Sequence, residues 1–367
     1  MGSIPEPVVL ARSREVQKQV LAVLAAFMIG APAWAVSDAA RDSLDVPASA
    51  TRLTTTTQVN GVAHAGKRLV AVGIRGLIVT SDDNGATWVQ RAAPVSSDLL
   101  AVQFVSPTKG WAVGHDGVIL HSEDGGESWI KQFDGRQAGE MFIRHFQQLA
   151  DAGDANAQRL LGEMKLNYES GPEQGLLDLW FADERNGIVC GSFGTLLATT
   201  DGGKTWQSWV ERLDYGTLLH LNAIHGVGQD IFIASEKGLV FRLDRDKGKF
   251  IAVETGYMGS FFSLASVGKQ IIASGLRGTA YRSSDAGRSW QKLETGQGSS
   301  ITGAVGIGAA RVLMVSQNGN LLVSDDAGEH FRAIRVPRPG VLTAVTQVDA
   351  HTAVVAGLSG VQQVPLK

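Results

Sequence analysis

The chain of 367 residues carries a formal net charge of −3, with 44% hydrophobic and 19% charged residues. It therefore has apolar material for a large core and lacks the basic surplus of a general nucleic-acid binder. Its 44 glycines call for many tight turns, and its single cysteine, Cys190, excludes an internal disulfide. Cys190 lies in the apolar run Gly187 to Gly191 and reads as a small core residue rather than a nucleophile.

The N-terminus has the pattern of an export leader. Arg12, Arg14 and Lys18 precede the ten-residue apolar run Val20 to Ile29, and Ala33-Trp34-Ala35 has the small-residue form of a cleavage site. Ten apolar residues are too few to span a bilayer comfortably. The expected divisions are a signal peptide over 1–35 and a small, acidic linker over 36–47, which place the mature chain in a periplasm.

From residue 48 onward two regularities interlock. A polar box, S-x-D-x-G-x-T-W, runs from Ser81 to Trp88 and returns at Ser122 to Trp129, Thr199 to Trp206 and Ser283 to Trp290. It appears once more, altered, at Ser324 to Phe331. Upstream of these positions a glycine opens a short apolar strand at Gly76, Gly117, Gly194, Gly238, Gly278, Gly319 and Gly360, with spacings of 41, 77, 44, 40, 41 and 41. A period near 40 with several short strands per unit is the mark of a β-propeller with one four-stranded sheet per blade. The expected fold is all-β: seven blades, with blades 1–2 and a closing strand over 48–133 and blades 3–7 over 176–367. Ala50 to Thr56 is β-prone and precedes the first inner strand, Val59 to His64. It is expected to supply the missing outer strand of blade 7 and so to close the ring.

The long interval, 134–175, breaks the count. Met141, Phe142, His145, Phe146 and Leu149 form an apolar stripe at helical spacing. Asp154 has the character of an N-cap, and Ala157, Leu160, Leu161 and Met164 repeat the stripe. This predicts an inserted helical hairpin.

In a four-stranded blade, the second-to-third turns share one face of the disc with the blade-to-blade connections, from which the insertion rises. Those turns place Arg75, Asp116, Phe193, Lys237, Arg277, Asn318 and Ser359 at equivalent positions, and the connecting loops add Tyr215, Tyr257 and Arg338. Arginines and aromatics are the usual anchors of protein interfaces. The candidate partner-binding residues are therefore Arg75, Phe193, Tyr215, Lys237, Tyr257, Arg277 and Arg338, with Phe142 and Phe146 from the hairpin.

Catalytic and cofactor chemistry is not legible in the chain. The histidines are scattered over different strands and turns without metal-ligand spacing, and the G-x-x-G motifs open no helix, so neither a metal nor a cofactor is expected. The box resembles that of sialidases, but their F/Y-R-I-P motif is absent. None of Tyr168, Tyr215, Tyr257 and Tyr281 has the glutamate and arginines such an enzyme pairs with its nucleophile.

The boxes, each preceded by G-x-x-G-x-[IL], together with Gly110-Trp111-Ala112-Val113-Gly114 and Asp124 to Trp129, resemble the photosystem II assembly/stability factor family of the BNR (Asp-box) repeat group. The resemblance covers about residues 50–133 and 176–367. It implies a non-enzymatic scaffold or assembly factor for a membrane or envelope protein complex. In bacteria without a photosystem it implies an accessory of an inner-membrane exporter of the resistance–nodulation–division type. A carbohydrate- or lipid-binding propeller is the alternative, and a sialidase-like glycosidase a more distant one.

Overall fold

The computed structural model describes residues 42–367; the expected signal peptide and residues 36–41 of the linker lie outside the described residues. Seven sheets are laid down in chain order. Blade 1 comprises β1 (Val59–Ala65), β2 (Arg68–Gly73), β3 (Ile78–Ser81) and β4 (Val89–Arg91). Blade 2 comprises β5 (Leu99–Phe104), β6 (Gly110–Gly114), β7 (Ile119–Ser122) and β8 (Ile130–Phe133). Two helices follow, α1 (Gly135–Asp151) and α2 (Ala155–Asn167). Blade 3 is β9 (Leu176–Phe181), β10 (Gly187–Gly191), β11 (Leu196–Thr199) and β12 (Gln207–Ser208); β13 (Leu213–Asp214) then leads to blade 4. Blade 4 is β14 (Leu221–Val227), β15 (Asp230–Ser235), β16 (Leu239–Asp244) and β17 (Lys249–Glu254), with β13 added parallel to β17 as a fifth strand. Blade 5 is β18 (Phe261–Val267), β19 (Gln270–Gly275), β20 (Ala280–Ser283) and β21 (Gln291–Leu293). Blade 6 is β22 (Ile301–Ile307), β23 (Arg311–Ser316), β24 (Asn320–Ser324) and β25 (Arg332–Arg335), and blade 7 is β26 (Leu342–Asp349), β27 (Thr352–Gly357) and β28 (Gly360–Pro365).

The G-x-x-G motif is explained by two close approaches. Its first glycine ends the second strand where the inner strand begins. A Cβ at Gly73, Gly114, Gly191, Gly275 or Gly357 would overlap the carbonyl oxygen of Gln58, Asp98, Gly175, Ser260 or Val341. Blades 4 and 6 carry Ser235 and Ser316 there, both fully buried. The second glycine occupies a left-handed position in the turn to the third strand.

The box fastens the outer strands of blades 1, 2, 3, 5 and 6, and blade 4 does without it. In blade 1, Asp83 accepts hydrogen bonds from the Thr87 amide at 2.8 Å, the Thr87 hydroxyl at 2.6 Å and the Ser81 hydroxyl at 2.8 Å. The Trp88 indole donates to the Gly85 carbonyl at 3.0 Å. The altered sixth-blade box keeps the bonds to its aspartate but, with Phe331 in place of Trp, has no indole donor: the His330 Nδ1 takes the place of the hydroxyl, 2.7 Å from Asp326. These bonds to the charged form hold the Asp83 and Asp201 carboxyls down to about 2.

Ring closure departs from expectation. Residues 51–57 form turns rather than a strand, and among the described residues blade 7 has three strands. The segment meets β28 through one backbone bond, Val361 N–H to Thr55 O at 3.2 Å. Upstream, residues 43–51 run along blades 1 and 2 instead of blade 7. Leu44 is buried among Val95, Leu99 and Val118, the Ser96 amide donates to Ser43 O, the Ala48 amide donates to Ala93 O, and Arg136 pairs with Asp45 at 2.8 Å. Residues 43–47, expected as linker, are thus docked, because the Leu44 side chain has a pocket to fill. Blade 7 is held to blade 1 largely by packing and by side chains, such as the Thr343 hydroxyl on Val59 O at 2.8 Å.

Candidate functional site

The inner strands start, and the second strands end, on the face that carries the second-to-third turns. In five blades this turn has both central residues in the left-handed region, the I′ geometry of a two-residue hairpin. The first central residues are Arg75, Asp116, Phe193, Lys237 and Arg277, with φ of 54°, 59°, 51°, 57° and 58°. Each is followed by a positive-φ glycine. The geometry favours Asn or Gly at the first position; an ordinary L-residue costs about 1–2 kcal/mol in this conformation. Asn318 and Ser359 do not share that conformation: the turns of blades 6 and 7 are built differently, and positive φ falls on the glycine alone.

Arg75, Lys237 and Arg277 are exposed. The carboxylates near them are half-buried and engaged by donors. Asp98 accepts the Arg75 amide at 2.7 Å, Glu236 accepts the His220 amide at 3.0 Å, and Asp116 accepts the hydroxyls of Ser43 and Ser97, each at 2.6 Å. The cations therefore project while the acids are turned into the loops. Phe193 is 46% exposed with its ring beside His220.

The connecting loops supply less than expected. Tyr257 is half-buried, its hydroxyl donating to Leu276 O at 3.1 Å, and Tyr215 packs edge-on against Phe241 with Lys237 over its ring. Arg338 is a structural staple: its guanidinium donates to Thr55 O and Val361 O, tying the turn at 51–57 to β28. Phe142 and Phe146 are fully buried. Their stripe faces α2 and blade 3, where they join Leu160, Met164 and Val210 in one core. These three residues are withdrawn as contact candidates, since the hairpin spends its aromatics on attaching itself. Asp134 caps α1 with a capping box, and Gly135 abuts Gly117 so closely that neither position has room for a Cβ.

Sequence reasoning missed Met258, 89% exposed beside Tyr257, and Leu276, exposed next to Arg277. The available signal was Gly256-Tyr257-Met258-Gly259, a loop too short to fold both side chains inward. Exposed basic and apolar groups thus alternate around blades 3 to 5.

The ring encloses a lumen of about 620 Å³ lined by the inner strands. At its end on the face of the I′ turns, the upper face, side chains reach to the carbonyl of the following blade: Asn60 to Leu99 O, Asn222 to Phe261 O and Thr302 to Leu342 O, at 2.8, 2.8 and 2.5 Å. Among the described residues no cluster of His, Cys, Asp or Glu is arranged to hold a metal ion. Cys190 is buried, and burial pushes its thiol well above the ordinary range, which keeps it in the unreactive neutral form.

A family model described as "Photosynthesis system II assembly factor YCF48" matches residues 42–140 and 163–332. The unmatched interval between them falls within the helical hairpin. The "Photosystem II assembly lipoprotein Ycf48" of Synechococcus sp. (strain CC9902) is 28% identical over 160 residues, 42% of this chain and 45% of that protein. The chain thus spans under half the length of this curated relative. The solved structure "YCF48 bound to D1 peptide" superimposes with a TM-score of 0.62 at 16% identity, over 88% of this chain and 99% of that one. "YCF48 from Cyanidioschyzon merolae" superimposes with a TM-score of 0.60 at 16% identity, over 85% of this chain and 96% of that one. Both show the same propeller fold.

Proposed function

The chain belongs to the photosynthesis system II assembly factor YCF48 family, and on that premise we propose that it is a non-enzymatic factor that binds an exposed segment of a protein partner on the face bearing the I′ turns. One observation carries this reading. Arg75, Phe193, Lys237 and Arg277 occupy left-handed positions where Asn or Gly would cost less. Bulky cationic and aromatic groups at strained, exposed positions serve contact rather than folding. The relative solved with a D1 peptide bound supports a polypeptide as the class of ligand. The leader-like pattern of residues 12–35 supports a partner in the bacterial envelope, and we place the protein in the periplasm as an accessory of an inner-membrane complex such as an RND-type exporter.

The test compares membrane complexes cross-linked to wild type, to the double variant Lys237→Glu/Arg277→Glu, and to Lys204→Glu, a charge change in a box turn on the opposite face. Recovery of the partner should fall at least about tenfold for the double variant, as for loss of interface anchors, and hold for Lys204→Glu. Equal recovery in all three rules out this face.

A further inference from the structure

The lumen has a chemistry that the upper face does not share. Thirty residues line it, and none is lysine or arginine. Its ionisable groups are Asp178 on β9 and His225 on β14. Both residues keep partial solvent contact. The His225 Nε2 lies 3.0 Å from the Ser266 hydroxyl, and burial brings the imidazole down to about 4, so it is neutral near pH 7. Asp178 accepts the Leu179 amide at one oxygen and the Ile224 amide at the other, each at 2.9 Å. Each carboxylate oxygen retains a further lone pair. The remaining titratable group against it is Cys190, opposite on β10, held neutral by burial. Two residues beyond Asp178, Trp180 also lines the lumen, its indole lying against Gly226. The rest of the wall mixes alanine, valine and glycine with larger aliphatic side chains and with the amides and hydroxyls of Asn60, Gln103, Asn222, Thr302, Thr343 and Thr346.

We propose that the lumen binds a primary alkylammonium group, with Asp178 as its counter-ion and Trp180 and the small apolar residues around its alkyl stem. With no lysine or arginine among the residues that line the lumen, this carboxylate lacks a partner of opposite charge. An ammonium group can supply that charge and donate to the open lone pairs, while its stem displaces lumen water. An anionic ligand would meet Asp178 with no compensating cation. A neutral sugar would find few polar groups not already committed to the blade-to-blade bonds. Desolvation raises the Asp178 carboxyl to about 7, so the site gains its charge across neutral pH.

The chemistry fits either a free amine or a lysine side chain of a partner, and calorimetry can separate them. The probes are n-butylammonium, n-butanol as its neutral analogue, and an acetylated, amidated pentapeptide of glycines with one central lysine. Butylammonium should bind, butanol should not, and affinity should rise about tenfold between about pH 6 and pH 8 as Asp178 ionises. Binding of the peptide as well assigns the site to a partner's lysine; binding of the small amine alone assigns it to a free amine. Asp178→Asn should weaken binding about tenfold or more. Should that variant fail to fold, the wild-type pH profile still decides. Equal binding of amine and alcohol, no binding of either, or affinity flat across that pH range overturns the proposal.

Discussion

Replacing Arg75 and Arg277 together by Asn should make the protein more stable while weakening its binding. Both side chains lie in the left-handed region, with φ of 54° and 58°, and both project from the upper face. The backbone bond from the Arg75 amide to Asp98 survives the change. The penalty for an ordinary L-residue in this conformation is about 1–2 kcal/mol, and Asn relieves part of it because its short side chain tolerates the region. Taking about 0.5 kcal/mol recovered per site, the double variant gains about 1 kcal/mol. For a chain of this size that raises Tm by about 2 °C, within reach of scanning calorimetry. Asn84 supplies the reverse test, since it already occupies such a position at φ 59°; Asn84→Arg should lose about 0.5 kcal/mol. If the double variant is neutral or destabilised, and Asn84→Arg neutral, then the turns store no strain. Binding would then not be what holds these side chains at the turns.

The box aspartates should make the propeller acid-sensitive in a defined window. Asp83 and Asp201 are held at about 2, below the ordinary 3.8. Their stabilisation is complete above about pH 4 and is lost as pH falls toward 2. Melting curves of Asp83→Asn and Asp201→Asn should lie below wild type at pH 6 and converge with it by about pH 2; a constant offset at every pH would contradict the assignment. Where the blade 2 turn meets the start of α1, Gly117→Ala adds a methyl 2.7 Å from the Gly135 Cα at a φ of 65°. It should cost about 2–4 kcal/mol in urea denaturation, through backbone strain plus overpacking. Gly153→Ala, where the added methyl meets nothing within 4 Å, should cost about 1 kcal/mol for its left-handed φ alone.

Much of the architecture was legible because its devices are local. The box needs Ser or Thr, Asp, Gly and an aromatic at fixed offsets, since all its hydrogen bonds fall within eight residues, as between Ser81 and Trp88. The I′ turn needs a glycine at its second position, so Gly76, Gly117 and their equivalents recur with the blade period. Counting these marks located the insertion, and helical periodicity identified it, with Asp154 as the cap of its second helix.

What failed had a common cause: burial is a property of partners distant in the chain. Phe142 and Phe146 share their stripe with any amphipathic helix, and only the packing of α1 on α2 and blade 3 shows that the stripe is consumed. Arg338 has the composition of an interface anchor, yet Thr55 and Val361 claim its guanidinium across sequence separations of 283 and 23 residues. Residues 50–56 are β-prone, but an outer strand forms only where the chain runs alongside β28, and Leu44 draws the preceding segment to blades 1 and 2 instead. The number of blades, the fastening of the outer strand in the five blades that carry the box and the place of the helices follow from residue order, because short-range stereochemistry enforces them. Which ring residues stand free, how the ring closes and that Asp178 lines a lumen without lysine or arginine emerge only once the chain is folded. Exposure, closure and desolvation are set by groups that the chain brings together only when all seven blades are in place.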